Sequence, residues 1–119
     1  MPAVAKAAEQ AGADAVSLIN TLRGMAFDPR TGRAWLGGVT GGVSGAAVRA
    51  VALAQVHAVA QAVSIPIVGM GGVQRGVHAR DLIRAGASLV AVGTESFRDP
   101  AAGLRIHAEL AELLANSAV

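Results

Sequence analysis

Cysteine and tyrosine are absent, and phenylalanine and tryptophan together supply only three of the 119 residues. Without a thiol there is no disulfide, no thiolate metal site and no cysteine nucleophile or base within this chain. A core poor in aromatics and rich in alanine and valine, within a hydrophobic fraction of 53%, suits close helix-on-sheet packing better than a sandwich of bulky side chains. Lysine occurs once, against nine arginines, and the formal net charge is +2. Arg23, Arg30 and Arg33 form the only local basic cluster. With so few aromatics to stack on bases, it reads as a solvated loop and no nucleic-acid partner is expected. Apolar runs are broken by Gly, Arg or His before the ~18 residues a membrane span needs. The N-terminus also lacks the charged-then-apolar pattern of a secretory signal. A soluble, cytoplasmic protein without membrane contact is the expectation.

The chain repeats itself once. Ala11-Gly12-Ala13-Asp14-Ala15-Val16-Ser17-Leu18-Ile19-Asn20-Thr21 parallels Ala85-Gly86-Ala87-Ser88-Leu89-Val90-Ala91-Val92-Gly93-Thr94. Each reads as a helix ending at a glycine suited to a left-handed cap, followed at once by an apolar strand. That is the joint of a parallel α/β sheet, whose strands are covered on both faces and read as continuous apolar runs. The expected order is a helix to residue 11, a strand over 14–20 and a long connection turning at Asp28-Pro29-Arg30-Thr31-Gly32, the tip of a hairpin. A glycine-rich loop over 39–45 follows, then a helix over 46–62 carrying Val48, Val51, Val56, Val59 and Val63. Strand 65–68, helix 75–85, strand 89–92 and a helix from Pro100, with Leu104, Leu110 and Leu114 on one stripe, complete it. Three parallel strands are under half of a (β/α)8 barrel. The fold class expected is therefore α/β, about three βα units from the C-terminal part of such a barrel. Residues 1–119 form one partial domain that begins in mid-unit and looks truncated.

Two strand ends stop at glycine: Gly69-Met70-Gly71-Gly72 and Val92-Gly93-Thr94. Glycines at the C-terminal end of a parallel strand let backbone N–H groups approach a phosphate, and the start of a following helix favours an anion. Gly71-Gly72 alone also fits a plain tight turn; Gly93-Thr94 on the same rim strengthens the phosphate reading. Asn20-Thr21 offers a donor, an acceptor and a hydroxyl, enough for the amide-and-carbonyl edge of a ring or equally for capping a loop. In Val39-Thr40-Gly41-Gly42-Val43-Ser44-Gly45, Ser44 fits a helix cap, or the loop approaches a planar or phosphorylated ligand. His57, His78 and His107 have no second ligand at metal spacing, Trp35 reads as a packing anchor, and the carboxylates are unpaired. No catalytic residue and no metal ligand is expected.

Taken in order, these motifs resemble the C-terminal part of the dihydroorotate dehydrogenases. The residues carrying the resemblance are Leu18-Ile19-Asn20-Thr21, Gly24-Met25-Ala26, Val39 to Gly45, Gly69-Met70-Gly71-Gly72 and Val92-Gly93-Thr94. Single glycine motifs occur in other flavin barrels, whereas the threonine-glycine-glycine loop joined to Ile-Asn-Thr is far more specific. The likeness is greatest to the soluble two-subunit class. It implies FMN as cofactor, with Ile19 and Gly45 touching it by backbone and Gly71, Gly72, Gly93 and Thr94 holding its phosphate. Asn20 and Thr21 would hydrogen-bond dihydroorotate or orotate. It implies a homodimer and a partner subunit carrying FAD and an iron–sulfur cluster that passes electrons to NAD. The class's catalytic cysteine and a flavin-binding lysine belong to segments upstream of the matching region, so this chain alone is expected not to turn over. Where the family has proline after serine-glycine and lysine-proline shortly afterwards, this chain has Ala46 and Arg49-Ala50. Another FMN barrel, such as a hydroxy-acid oxidase, or a noncatalytic fragment needing a complementary half, are the alternatives.

Overall fold

Small apolar side chains lie where close helix–sheet contact needs them in the computed structural model, which describes residues 1–117. Strands β1 (Val16–Leu18), β4 (Ile67–Met70) and β5 (Leu89–Ala91) form a parallel sheet in the order β1-β4-β5. Val16 is level with Ile67, and Met70 with Ala91. Helix α1 (Pro2–Gln10) precedes β1, α2 (Arg49–Ala60) leads into β4, and α3 (Gly76–Ala85) joins β4 to β5. A short helix α4 (Glu95–Arg98) and the longer α5 (Ala102–Ala115) follow. Between β1 and α2 the chain leaves the sheet as an antiparallel hairpin of β2 (Leu22–Gly24) and β3 (Gly41–Val43). The fold is thus α/β around a parallel sheet. Among the described residues, no helix is long and apolar enough to cross a membrane.

The repeated joint has the same geometry twice. Gly12 N–H donates to Glu9 and Ala13 N–H to Ala8; Gly86 N–H donates to Ile83 and Ala87 N–H to Leu82. Gly12 at φ +98° and Gly86 at φ +124° hold the left-handed turn that such paired bonds require. Val48, Ala52, Val56 and Val59 put one face along α2 and its leading turn into the core, with Ala79 and Leu82 from α3 and Ala102 and Ile106 from α5. Burying each valine or leucine contributes roughly 1.5–3 kcal/mol, so a core of small residues depends on several such faces meeting at once.

The structure departs from expectation in instructive places. The glycine-rich stretch is not wholly a loop, because Gly41–Val43 pairs with Leu22–Gly24. Gly42 has no side chain to collide with Thr21, whose Cβ and Oγ1 occupy that space. The turn at 28–32 does form the hairpin tip, with Asp28 N–H donating to Arg33 and Gly32 N–H to Asp28. Strand β4 runs two residues later than expected, ending at Met70. Ser44 caps no helix: a 3-10 turn (Ala46–Val48) starts from Gly45 with no side-chain cap. The terminal stripe is Ala102, Ile106 and Leu110, while Leu104 is 76% exposed and Val51 of α2 also faces out. Trp35 anchors nothing and is 62% exposed, because its hairpin projects away from the helix–sheet core.

The molecule measures 54 × 36 × 19 Å, with a radius of gyration of 16.4 Å. A compact domain of this length has a radius near ~13.5 Å. The accessible surface is 7501 Å², against about 5,900 Å² for a monomer of this mass. The body is a slab with exposed edges at β1 and β5.

Candidate functional site

The C-terminal ends of the three parallel strands open onto one cavity of about 430 Å³. Ile19, Asn20 and Thr21 leave β1 there, Gly71 and Gly72 leave β4, and Gly93 and Thr94 follow β5. Gly45 reaches the same space from the turn before α2. All eight residues singled out from the sequence therefore border a single space. It falls within the ~300–1,000 Å³ range of small-molecule sites.

Backbone geometry shapes the rim. Ile19 is buried, its N–H donates to Met70 at 3.1 Å, and the Leu18–Ile19 peptide bond is cis. Gly72 sits at φ +69°, where a Cβ would lie 2.7 Å from the Gly45 carbonyl oxygen and 2.8 Å from Arg49 Cβ. No side chain fits there. Gly93 is the opposite case: a Cβ would meet no heavy atom within 4 Å. Among the described residues, the N–H groups of Gly72, Gly93 and Thr94 donate to no backbone carbonyl, which leaves donors at the mouth for an anion. The short α4 starts directly after Thr94.

Charge is kept behind the rim rather than in it. Arg49 donates to the Gly72 carbonyl at 2.9 Å and to Gln74 Oε1 at 3.2 Å, and its Nη1 lies 3.3 Å from His78 Nδ1. The Gln74 N–H also points at that nitrogen, at 3.2 Å. Burial, then the positive charges of Arg49 and Arg75, lower the His78 pKa. A neutral ring that accepts at Nδ1 and carries its proton on Nε2 follows from this. At the other end of the cavity, Thr21 N–H donates to Asn20 Oδ1 at 2.8 Å. That bond fixes the amide and leaves its NH2 group to donate elsewhere. Among the described residues, no side chain lining the cavity is titratable near neutrality; its polar members are serine, threonine and asparagine. The arrangement can bind an anion and a polar ring edge, but it offers no group for proton transfer.

The sequence pattern of the dihydroorotate dehydrogenases matches residues 2–114. The chain belongs to the dihydroorotate dehydrogenase family. The dihydroorotate dehydrogenase B (NAD(+)) catalytic subunit of Bacillus caldolyticus is 53% identical over 112 residues, which is 94% of this chain and 36% of that protein. The subunit of the same name from Geobacter metallireducens is 51% identical over 116 residues, 98% of this chain and 38% of its own length. In structure, the chain resembles the Eimeria tenella dihydroorotate dehydrogenase solved with ferulenol. The TM-score is 0.75 at 30% identity, over 94% of this chain and 30% of that one. The chain thus spans little more than a third of the curated family members it matches.

The cavity is lined by further residues that the sequence did not single out. Ser17, Val48 and Met70 also line the space. Ser17 left a trace, as the one hydroxyl inside an otherwise apolar strand. Val48 and Met70 look like core positions, and only the turn of the backbone at 45–48 and the later end of β4 bring them to the rim.

Proposed function

We propose that this chain forms the FMN-phosphate and substrate-ring end of a dihydroorotate dehydrogenase, as the C-terminal part of a (β/α)8 barrel. The observation that carries the reading is the convergence of Ile19, Asn20, Thr21, Gly45, Gly71, Gly72, Gly93 and Thr94 on one cavity. The residues fit the cofactor: any Cβ at Gly72 would fill the rim, Gly93 leaves open space, and uncommitted N–H groups surround the mouth. FMN would supply the hydride acceptor for oxidation of dihydroorotate to orotate in pyrimidine synthesis. The chain's own residues bind and orient. Gly71, Gly72, Gly93 and Thr94 hold the phosphate, and Ile19 and Gly45 meet the cofactor by backbone. Asn20 and Thr21 hydrogen-bond the substrate ring. Because no lining side chain is a base, proton removal falls to residues outside this chain, and the chain alone does not turn over.

The rest of the assembly follows the same reading: a cytoplasmic homodimer, with a second subunit carrying FAD and an iron–sulfur cluster. The name "catalytic subunit" on the relatives supports the existence of a second subunit. The test is a titration of the purified chain with FMN, followed by flavin fluorescence, with its mass in solution recorded alongside. Saturable quenching by a discrete species is expected, and no quenching by a folded chain refutes the site. Dihydroorotate oxidation that appears only when an N-terminal segment of a relative is added supports the division of labour.

A further inference from the structure

Behind the rim, on the side away from the cavity, one guanidinium reaches the segments that follow the glycines of β4 and β5. Arg105 of α5 donates through Nη1 to the Gln74 carbonyl at 3.1 Å and to Glu109 Oε1 at 3.1 Å. It donates through Nη2 to Glu95 Oε1 at 3.3 Å and through Nε to Asp99 Oδ2 at 3.0 Å. Gln74 is two residues after Gly72, and Glu95 directly follows Thr94. Glu109 in turn accepts the N–H of Gly76, the first residue of α3, at 2.6 Å. Gln74 Nε2 reaches Glu95 Oε2 at 3.4 Å, and Arg98 pairs with the same carboxylate. Glu95 is only 4% exposed, and its carboxyl is held below the ordinary range, first by the Arg98 hydrogen bond. A buried carboxylate needs such partners, and removing one leaves the charge uncompensated.

Arg105 borders a separate outer cavity with Gln74, Arg75, Glu95, Arg98 and Asp99, and is not among the residues lining the central one. It therefore acts through the loops. We propose that Arg105 is a positioning residue that holds the two glycine loops at the spacing a phosphate requires, so that it sets the protein's preference for a phosphorylated flavin. The inference rests on the phosphate reading of the rim. Four acceptors around one planar fork fix both loops together, a geometry an ammonium group cannot reproduce.

The experiment compares FMN with riboflavin, which shares the ring and lacks the phosphate, by fluorescence titration of the full chain and its Arg105→Ala and Arg105→Lys variants. Wild type prefers FMN. In Arg105→Ala, FMN affinity falls roughly tenfold, equivalent to one lost charged contact at the rim, while riboflavin affinity is unchanged. Arg105→Lys keeps the stem and the charge and folds where alanine does not; it loses part of the same preference. Parallel loss of both ligands overturns the inference in favour of a purely structural role. An unchanged FMN preference in a folded variant overturns it as well. A wild-type chain that binds both flavins alike, or neither, defeats the phosphate reading itself and the inference with it.

Discussion

Replacing Gly93 by alanine separates binding from folding at this site. A methyl at Gly93 meets no heavy atom within 4 Å, and the residue's φ lies outside the left-handed region. Folding should therefore lose nothing, and restricting the unfolded chain adds about 0.4–1 kcal/mol of stability. The same methyl borders the cavity and keeps an anion off the neighbouring N–H groups. Forfeiting one charge-assisted hydrogen bond of roughly 1.5–3 kcal/mol weakens FMN about ten- to a hundredfold. Gly72→Ala is the counterpart. Its Cβ would lie 2.7 Å from a carbonyl oxygen at φ +69°, which combines ~1–2 kcal/mol of left-handed strain with ~1–3 kcal/mol of overpacking. For a chain of this size, each kcal/mol moves the thermal midpoint by about 3–6 °C. Circular-dichroism melts and flavin titrations of both variants are the assay. The reasoning fails if Gly93→Ala melts as early as Gly72→Ala, or if it binds FMN as wild type does.

Further outcomes follow from the core, the ring-binding end and the titrating groups. Leu82→Ala empties a fully buried position and costs about 2–5 kcal/mol, whereas Leu104→Ala on the exposed face of α5 stays within ~0.5 kcal/mol; denaturant titration distinguishes them. Asn20→Ala in the complemented enzyme lowers orotate affinity with FMN affinity unchanged, measured by separate titrations; loss of both would count against its assignment to the ring. Acid should weaken the fold in two stages, read from melting midpoints across pH. His78 has a folded pKa below its unfolded value, so its contribution is complete above ~6.5 and is lost as pH falls through the lower folded value. Glu95, Asp99 and Glu109 are depressed by their arginine and N–H partners, so theirs is complete above ~4.5 and is lost below it. His78→Gln should remove the first stage only.

Much of the framework was legible because local chemistry decides it. The paired glycine joints, the three apolar strands and the strand-end glycines are set by short-range rules, and the structure assembles them into one sheet and one cavity. Of the β2–β3 hairpin only the tip at 28–32 was legible: Gly41-Gly42 has the composition of a loop and becomes strand by pairing with Leu22–Gly24, with Thr21 packed over Gly42 and Val43 over Gly24. The direction of the α5 stripe was misread because leucine at 104 looks like core, yet the buried face carries Ala102 and Ile106 with Leu110 packed beside them. The Arg105 network was invisible for another reason: its partners span residues 74 to 109, and no local pattern marks them as neighbours.

The 19 Å thickness of the slab has a consequence for how the protein opens. Two layers of secondary structure fill that depth, so no backbone amide lies far beneath the surface. Hydrogen-exchange protection should concentrate in one narrow seam where α2, β4 and α3 meet, and fall away toward the hairpin and the outer strands. The cavity rim spans both regimes, drawing Gly71 from the seam and Thr21 and Thr94 from its margins. A ligand bound there fastens slow-opening parts of the chain to fast-opening ones, and saturation at a hundredfold excess over its dissociation constant would add about 2.7 kcal/mol to their common stability. A ligand held at this rim is then a structural member of the fold.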